Sequence, residues 1–292
     1  MNTNNLNFIF WGTPDVASET LEILKQAGFL PSLIVTSPDA KSGRGLEMHA
    51  SPVAAFAQQN NIPCLKPEKL DDKFYNQLKP SCLAPSCLFI VVAYGKIIPE
   101  EILNIPKIGS INIHYSLLPK YRGASPVETA ILNGETETGI TIQKMELKMD
   151  SGPIIAQEKV NIFSDERAPD LRKRLIKVGG ELLIKTLNTP SASGISPYVC
   201  GGWVGVPQDE TEATFCKKIK KEDGLIDLND DSTKNYNKFR AYATWPRTFF
   251  FRNKKRVIIT EAMSESNVFT ITRVLPEGKK EMNYKDFLKT NI

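Results

Sequence analysis

Apolar positions in the first half of the chain alternate between two periods. Short apolar runs at Leu6–Trp11, Leu33–Thr36, Leu88–Ala93 and Ser110–His114 read as buried strands, and Thr138–Met145 as a strand by its period of two. Between them Asp15–Ala27, Val53–Asn60, Pro99–Leu103 and Pro126–Leu132 have helical character. Asp165–Leu187 is a further helix, with Leu171, Leu175, Val178, Leu182 and Leu183 on one face. This alternation predicts an α/β fold: a Rossmann-like, mostly parallel sheet with helices on both faces. Ligands of such sheets bind beyond the carboxyl ends of the strands, where Tyr94 and His114 would gather.

The pattern changes after residue 187. Asn188–Gln208 is rich in Pro, Gly and Ser, without periodicity, and reads as a linker. Beyond it come short alternating segments at Ala213–Ile219, Thr248–Phe251, Arg256–Thr260 and Asn267–Leu275, and a helix at Thr233–Tyr242. They predict a small β-barrel. The expected organisation is one domain over residues 1–187, a linker over 188–208 and a second domain over 209–292.

Composition narrows the class. A chain of 292 residues, 41% hydrophobic, can bury a full core in each of two domains. No run of 18 apolar residues would span a membrane, and the polar start Met1–Asn7 lacks the order of a signal peptide. Five scattered cysteines, with no Cys-x-x-Cys pair and no adjacent histidine, indicate neither a metal site nor a disulfide framework. They read as reduced thiols of a cytoplasmic protein. The net charge of +4 is uneven: residues 211–292 carry 17 Lys and Arg against 11 Asp and Glu, a net of +6. That asymmetry points to a polyanion as partner of the basic half.

Candidate chemistry concentrates between Ile111 and Ile155. Asn112 and His114 are two apart on a strand and so project from the same face. Asp150 follows in the Gly/Pro loop Met149-Asp150-Ser151-Gly152-Pro153. An amide, an imidazole and a carboxylate supply an oxyanion donor, a general acid/base and an anion to orient it, the parts of an acyl transfer. A lone histidine on an apolar strand is ordinarily a satisfied core residue, but this chain has only two, His49 and His114. A neutral-pH proton shuttle therefore has few candidates. Gly12 turns out of a strand as in a dinucleotide site, yet Thr13, Pro14 and Asp15 stand where close backbone approach is needed, which argues against a dehydrogenase. A non-catalytic RNA-binding protein would explain the basic half but not Asn112, His114 and Asp150 together.

Asn112-Ile113-His114 followed by Ser116-Leu117-Leu118-Pro119, Tyr121-Arg122-Gly123, Pro126, Glu137-Thr138-Gly139 and Asp150-Ser151-Gly152 resembles the folate-dependent formyltransferases. Other segments look like the branch of that family that formylates methionyl-tRNA: Phe8 to Asp15, Val35 to Asp39, Lys41-Ser42-Gly43-Arg44-Gly45, Val91 to Gly95, and Pro276 to Met282 before Asp286-Phe287-Leu288. The alternative within the family is an N-formyltransferase acting on an amino-sugar nucleotide.

The resemblance implies transfer of the formyl group of 10-formyltetrahydrofolate to the α-amine of initiator methionyl-tRNA by a monomer without a metal. Asn112, His114 and Asp150 would be catalytic. Ser116, Leu117, Leu118 and Pro119, with Tyr94, Gly95 and Ile97, would bind folate. Lys41 and Arg44 would meet the acceptor end of the tRNA. It also implies an OB-like barrel for the second domain, which looks truncated: between Glu261 and Phe269, where the family has further strands, there is only Ala262 to Val268. Tyr115, where the family commonly has a small residue, is expected to crowd the site.

Overall fold

A computed structural model describes residues 6–42, 47–188 and 205–290. In chain order the elements are β1 (Asn7–Gly12), α1 (Asp15–Gln26), β2 (Leu33–Val35), β3 (Ala40–Ser42), β4 (Glu47–His49), α2 (Pro52–Gln59), β5 (Cys64–Leu65) and α3 (Asp72–Leu78). They continue with β6 (Cys87–Val92), α4 (Glu100–Leu103), β7 (Gly109–His114), β8 (Arg122–Gly123), α5 (Pro126–Leu132), β9 (Glu137–Lys144), β10 (Ile154–Asn161) and α6 (Ala168–Asn188). The last are β11 (Phe215–Cys216), α7 (Ser232–Ala241), β12 (Phe249–Arg252), β13 (Lys255–Glu265), β14 (Val268–Pro276), β15 (Met282–Asn283) and α8 (Tyr284–Leu288). The chain divides into two compact units. The first comprises Met1–Lys120, Gly139–Glu158 and Leu175–Ala213, the second Tyr121–Thr138, Lys159–Arg174 and Thr214–Ile292.

The first unit is built on a seven-stranded sheet ordered β10-β9-β7-β6-β1-β2-β5. Strands β5, β2, β1, β6 and β7 run parallel, and β9 is antiparallel to β7. The chain leaves the central β1 toward β2 and β5, then returns to β6 on its other side, so the strand order reverses between β1 and β6. On one face Ile9, Trp11, Phe89 and Val91 form a buried core with Phe74 and Leu78 of α3 and Ile102 and Leu103 of α4. Burying side chains of this size contributes roughly 1.5–3 kcal/mol each. On the other face Gly179 and Gly180 bring the backbone of α6 against Ile113 and Ile140 of the sheet and Ile23 of α1.

Local chemistry explains the helix ends. Ser51 caps α2 by accepting from the Ala54 N–H at 3.0 Å, with Pro52 at its first position, and Asp71 caps α3 by accepting from the Phe74 N–H at 3.1 Å. Helix α1 stops at Gly28, whose φ of +85° lets the Phe29 and Gly28 N–H groups reach back to the carbonyls of Leu24 and Lys25, both at 2.9 Å.

In the second unit β12, β13, β14 and β15 form an antiparallel sheet. Its core joins Phe250, Val257, Ile259 and Val274 of the sheet with Ile226, Phe239 of α7 and Phe287 of α8. Asp231 caps α7, accepting from the Lys234 N–H at 2.9 Å. The truncated barrel expected here is, among the described residues, an open sheet of four strands.

The expected strands and helices of the first half are present within a few residues of their predicted ends. Four differences stand out. The strand expected over Ala213–Ile219 shrinks to β11, which pairs with β8. The strand expected over Arg256–Thr260 continues to Glu265, because its ladder with β14 carries on through a bulge at Glu261. Helices α3 and α8 and strands β3, β4, β5, β8, β10 and β15 were not anticipated. Cysteines were expected to be reduced throughout, but Cys82 and Cys87 form a disulfide across a Cα separation of 5.4 Å. A five-residue spacing carries no sequence signature, whereas the turn closed by the Cys87 N–H on the Ala84 carbonyl at 3.1 Å brings the chain back beside Cys82. Most of the segment read as a linker lies outside the described residues.

Candidate active site

The site follows from strand register. Val91 is paired with Asn112, and Asn112 with Gln143, so Trp11 and Val91, Asn112 and His114, and Gln143 and Thr141 share one face of the sheet. That face is apolar over β1 and β6 and turns polar over β7 and β9. Asn112 and His114 therefore stand side by side at the carboxyl end of β7, as their spacing predicted.

Asp150 reaches them from the loop after β9. Its backbone has φ +52°, in the left-handed region. Its Oδ2 lies 3.6 Å from His114 Nδ1, and its Oδ1 accepts from Gln143 Nε2 at 2.9 Å. The histidine and aspartate side chains are 7% and 13% exposed. Gln208 Nε2 donates to the backbone carbonyls of Asp150 at 2.9 Å and Gly152 at 2.7 Å. Gly152 has no room for a side chain, since a Cβ would overlap the Lys144 carbonyl.

The segment Ser116 to Lys120 borders this strip and is tied down from the sheet. Thr141 donates its hydroxyl to the Ser116 carbonyl at 2.7 Å and accepts from the Leu118 N–H at 3.1 Å. Gln157 donates to the Leu118 carbonyl at 3.0 Å and to Thr141 at 2.8 Å. Ser116 donates to the Lys120 carbonyl at 2.6 Å. Several backbone groups of this segment thus already have partners within the protein. Leu117 is half-buried over Gly139, where even a Cβ would displace it.

Tyr94 lies at the end of β6, its ring edge-on to Trp11 with centroids 5.2 Å apart. Burial pushes its hydroxyl up to about 12, and among the described residues neither that hydroxyl nor Trp11 Nε1, both buried, has a hydrogen-bond partner. Thr13 ties three strand ends together. Its hydroxyl donates to the Tyr94 carbonyl at 3.1 Å and lies 3.1 Å from the Ser37 hydroxyl. Gly95 and Ile97 are exposed, Ile97 at 75%.

Tyr115 does not crowd the strip. Alternation along β7 and its continuation turns it to the opposite side from His114, where it is buried beside Thr20 and Glu19 of α1, and burial pushes its hydroxyl up. Lys41 is exposed on the β3–β4 hairpin, opposite Met48. Arg44 lies outside the described residues. Among the described residues no cluster of His, Cys, Asp and Glu is arranged to hold a metal, and no helix is long and apolar enough to cross a membrane.

Sequence reasoning missed Thr141, Gln143, Gln157 and Gln208. For the first two a signal existed: in Ile140-Thr141-Ile142-Gln143 the alternate positions are polar although the strand is buried on both sides.

A mostly parallel sheet with this switch point, carrying an amide, an imidazole and a carboxylate on one polar strip, has the parts that an acyl-transfer enzyme of the α/β class needs. The chain belongs to the formyl transferase family: its sequence matches the formyl transferase model over residues 4–187 and that of the formyl transferase C-terminal domain over residues 218–269. Methionyl-tRNA formyltransferase of Thermodesulfovibrio yellowstonii is 38% identical over 96% of this chain and 94% of its own length. The protein of the same name from Dictyoglomus turgidum is 36% identical over 97% and 96%.

Solved structures share the fold. An N-formyltransferase from Helicobacter canadensis in complex with folinic acid and dTDP-3-aminofucose superposes with a TM-score of 0.62 at 20% identity, over 91% of this chain and 95% of its own. Methionyl-tRNA formyltransferase from Clostridium thermocellum gives 0.59 at 17% identity, over 93% and 98%.

Proposed function

We propose that this chain transfers the formyl group of 10-formyltetrahydrofolate to the α-amine of methionine esterified to initiator tRNA, in the cytoplasm, for translation initiation. The observation that carries the reading is identity at 38% along nearly the whole chain to a methionyl-tRNA formyltransferase. The donor set fits such a transfer, because an uncharged carbonyl passed directly to an amine needs hydrogen-bond donors and a proton relay but no nucleophilic side chain.

In this reading Asn112 donates an amide N–H to the formyl oxygen as charge gathers there, an interaction typically worth roughly 3–4 kcal/mol of barrier. His114 carries a proton between the attacking amine and the departing nitrogen. Asp150 holds the imidazole by facing its Nδ1 at 3.6 Å. Residues 1–187 would form the catalytic domain, with Ser116, Leu117, Leu118 and Pro119, together with Tyr94, Gly95 and Ile97, as the groups that bind folate. Residues 209–292, with net charge +6 over 211–292, would bind tRNA phosphates, while Lys41 and Arg44 meet the acceptor end.

One assay tests the function. With formyltetrahydrofolate as donor, methionyl-tRNA should be formylated and a dTDP-amino sugar should not. Preference for the sugar nucleotide would overturn the proposal.

A further inference from the structure

Asp150 is held by two side-chain amides, Gln143 on its carboxylate and Gln208 on its backbone carbonyl. We propose that Gln143 and Gln208 are positioning residues that set Asp150 against His114. The inference rests on the formyl-transfer reading for what the aligned pair does. Whether Gln143 and Gln208 align it is a separate question with its own readout.

Asp150 needs such support. A non-glycine residue in the left-handed region carries a backbone strain, and persists where the surroundings over-determine it. Gln208 meets that need from outside the turn, by donating to the carbonyls of Asp150 and Gly152 on either side of Ser151. Its own segment is docked on the same loop. Val206 and Ile154 exchange backbone hydrogen bonds of 2.8 Å in both directions, and Gly205 sits so close to Pro153 that a Cβ would overlap it.

The orientations of both amides follow from their partners. Carbonyl oxygens only accept, so Gln208 must present its NH2 group to the two backbone oxygens. Gln143 likewise presents its NH2 group to Asp150 Oδ1, at 2.9 Å. That leaves the Gln143 carbonyl oxygen facing Gln208 Nε2, 3.4 Å away. The contacts close a ring from the backbone of Asp150 through Gln208 and Gln143 to its own carboxylate. Oδ1 faces Gln143 and Oδ2 faces the imidazole, 3.6 Å from His114 Nδ1. Gln143 is itself fixed: it is 2% exposed and pairs with Asn112 across β7 and β9.

The alternative is that the two glutamines merely satisfy buried polar groups, in which case removing them costs stability and leaves the geometry of the pair unchanged. The chain's two histidines make the difference readable. In the full-length protein the imidazole C–H resonances of His49 and His114 can be assigned with His49→Ala, and followed in Gln143→Leu and Gln208→Leu. The His114 resonance should move toward its position in Asp150→Asn in both variants, while that of His49 stays. Turnover should fall by about tenfold or more, with KM for the formyl donor within about twofold of the parent, as expected when a reacting group is misplaced and binding is not.

Gln208→Lys keeps a donor for the two carbonyls and should restore the resonance. Gln208 is only half-buried, so its variants carry the test if Gln143→Leu does not fold. A His114 resonance that stays in place in the folded variants would overturn the proposal, whatever happens to turnover. A resonance that moves in a protein unable to formylate methionyl-tRNA would support the positioning role and remove the formyl-transfer reading instead.

Discussion

Asn112 and Gln143 stand directly opposite one another across the antiparallel pair β7 and β9, with their side chains on the same face of the sheet. A slip of one residue in that pairing would turn the donor for Asp150 into the apolar layer behind. The register of two strands thus sets which atoms meet at the site.

Replacing His114 by Ala or Asp150 by Asn should lower turnover at least about a hundredfold, roughly 2.7 kcal/mol of barrier. Affinity for the formyl donor should change little, since neither group is asked to supply that binding energy. Single-turnover kinetics beside equilibrium binding of the donor checks both halves. Turnover near that of the parent in His114→Ala would remove the proton-relay role.

Gly152→Ala should destabilise the fold by about 1–3 kcal/mol, the usual range for overpacking a filled site. The added methyl has to displace the Lys144 carbonyl at the end of β9, and with it the turn that carries Asp150. Denaturant unfolding measures the effect, and turnover should drop with it. An unchanged midpoint would mean that this close approach relaxes freely.

Alkaline pH should weaken the fold through its tyrosines. Burial pushes the hydroxyls of Tyr94, Tyr121 and Tyr242 up to about 12, and at Tyr121 the hydrogen bond to Glu135 adds to the effect. The unfolded chain releases these protons near the ordinary value of about 10, while the folded chain keeps them. Their contribution is complete below about pH 10 and drains away as pH rises from there toward about 12. Thermal midpoints across that window should fall, and Tyr94→Phe should flatten the slope. Loss of stability complete before about pH 10 would assign it to other groups.

Charge removal in the second unit should show in salt dependence. In the combined variant Lys254→Ala, Lys255→Ala, Lys279→Ala and Lys280→Ala, methionyl-tRNA should bind more weakly. The slope of log affinity against log salt should become shallower by roughly 0.7–0.9 for every phosphate no longer neutralised by a lysine. Formyl-donor binding should be untouched. An unchanged slope would mean that other cations of the protein neutralise the tRNA phosphates.

The alternation of apolar runs and helical segments made the sheet legible, and the two-residue spacing of Asn112 and His114 correctly put both on one face. Their partners were harder to see, for a physical reason. Periodicity reports which way a side chain points, while pairs such as Asn112 opposite Gln143, or Gln208 on the Asp150 loop, depend on the meeting of segments far apart in the chain. Tyr115 shows the limit of reading by resemblance alone. Its bulk suggested crowding, whereas alternation with His114 already placed it on the α1 side. Helix α3 had a cue in Asp71 as its cap, but seven residues give too short a stretch for the helical period to show.

The hairpin of β13 and β14 turns on Ser266 and Asn267, with φ of +49° and +63°, a two-residue connection of the kind that continues the natural twist of its strands. Beyond Ile258 the β12 strand no longer accompanies β13, and on the other side β15 reaches only Arg273 and Val274, so the outer end is a ribbon of two strands. Near its tip Phe269 still packs against Tyr236 and Phe239, so the part clear of the core is the two-residue turn itself. Once a flexible connection exists, each doubling of it costs only about 0.6 kcal/mol in closure entropy. Residues inserted between Ser266 and Asn267 should therefore cost little stability, provided Phe269 keeps its place against Phe239.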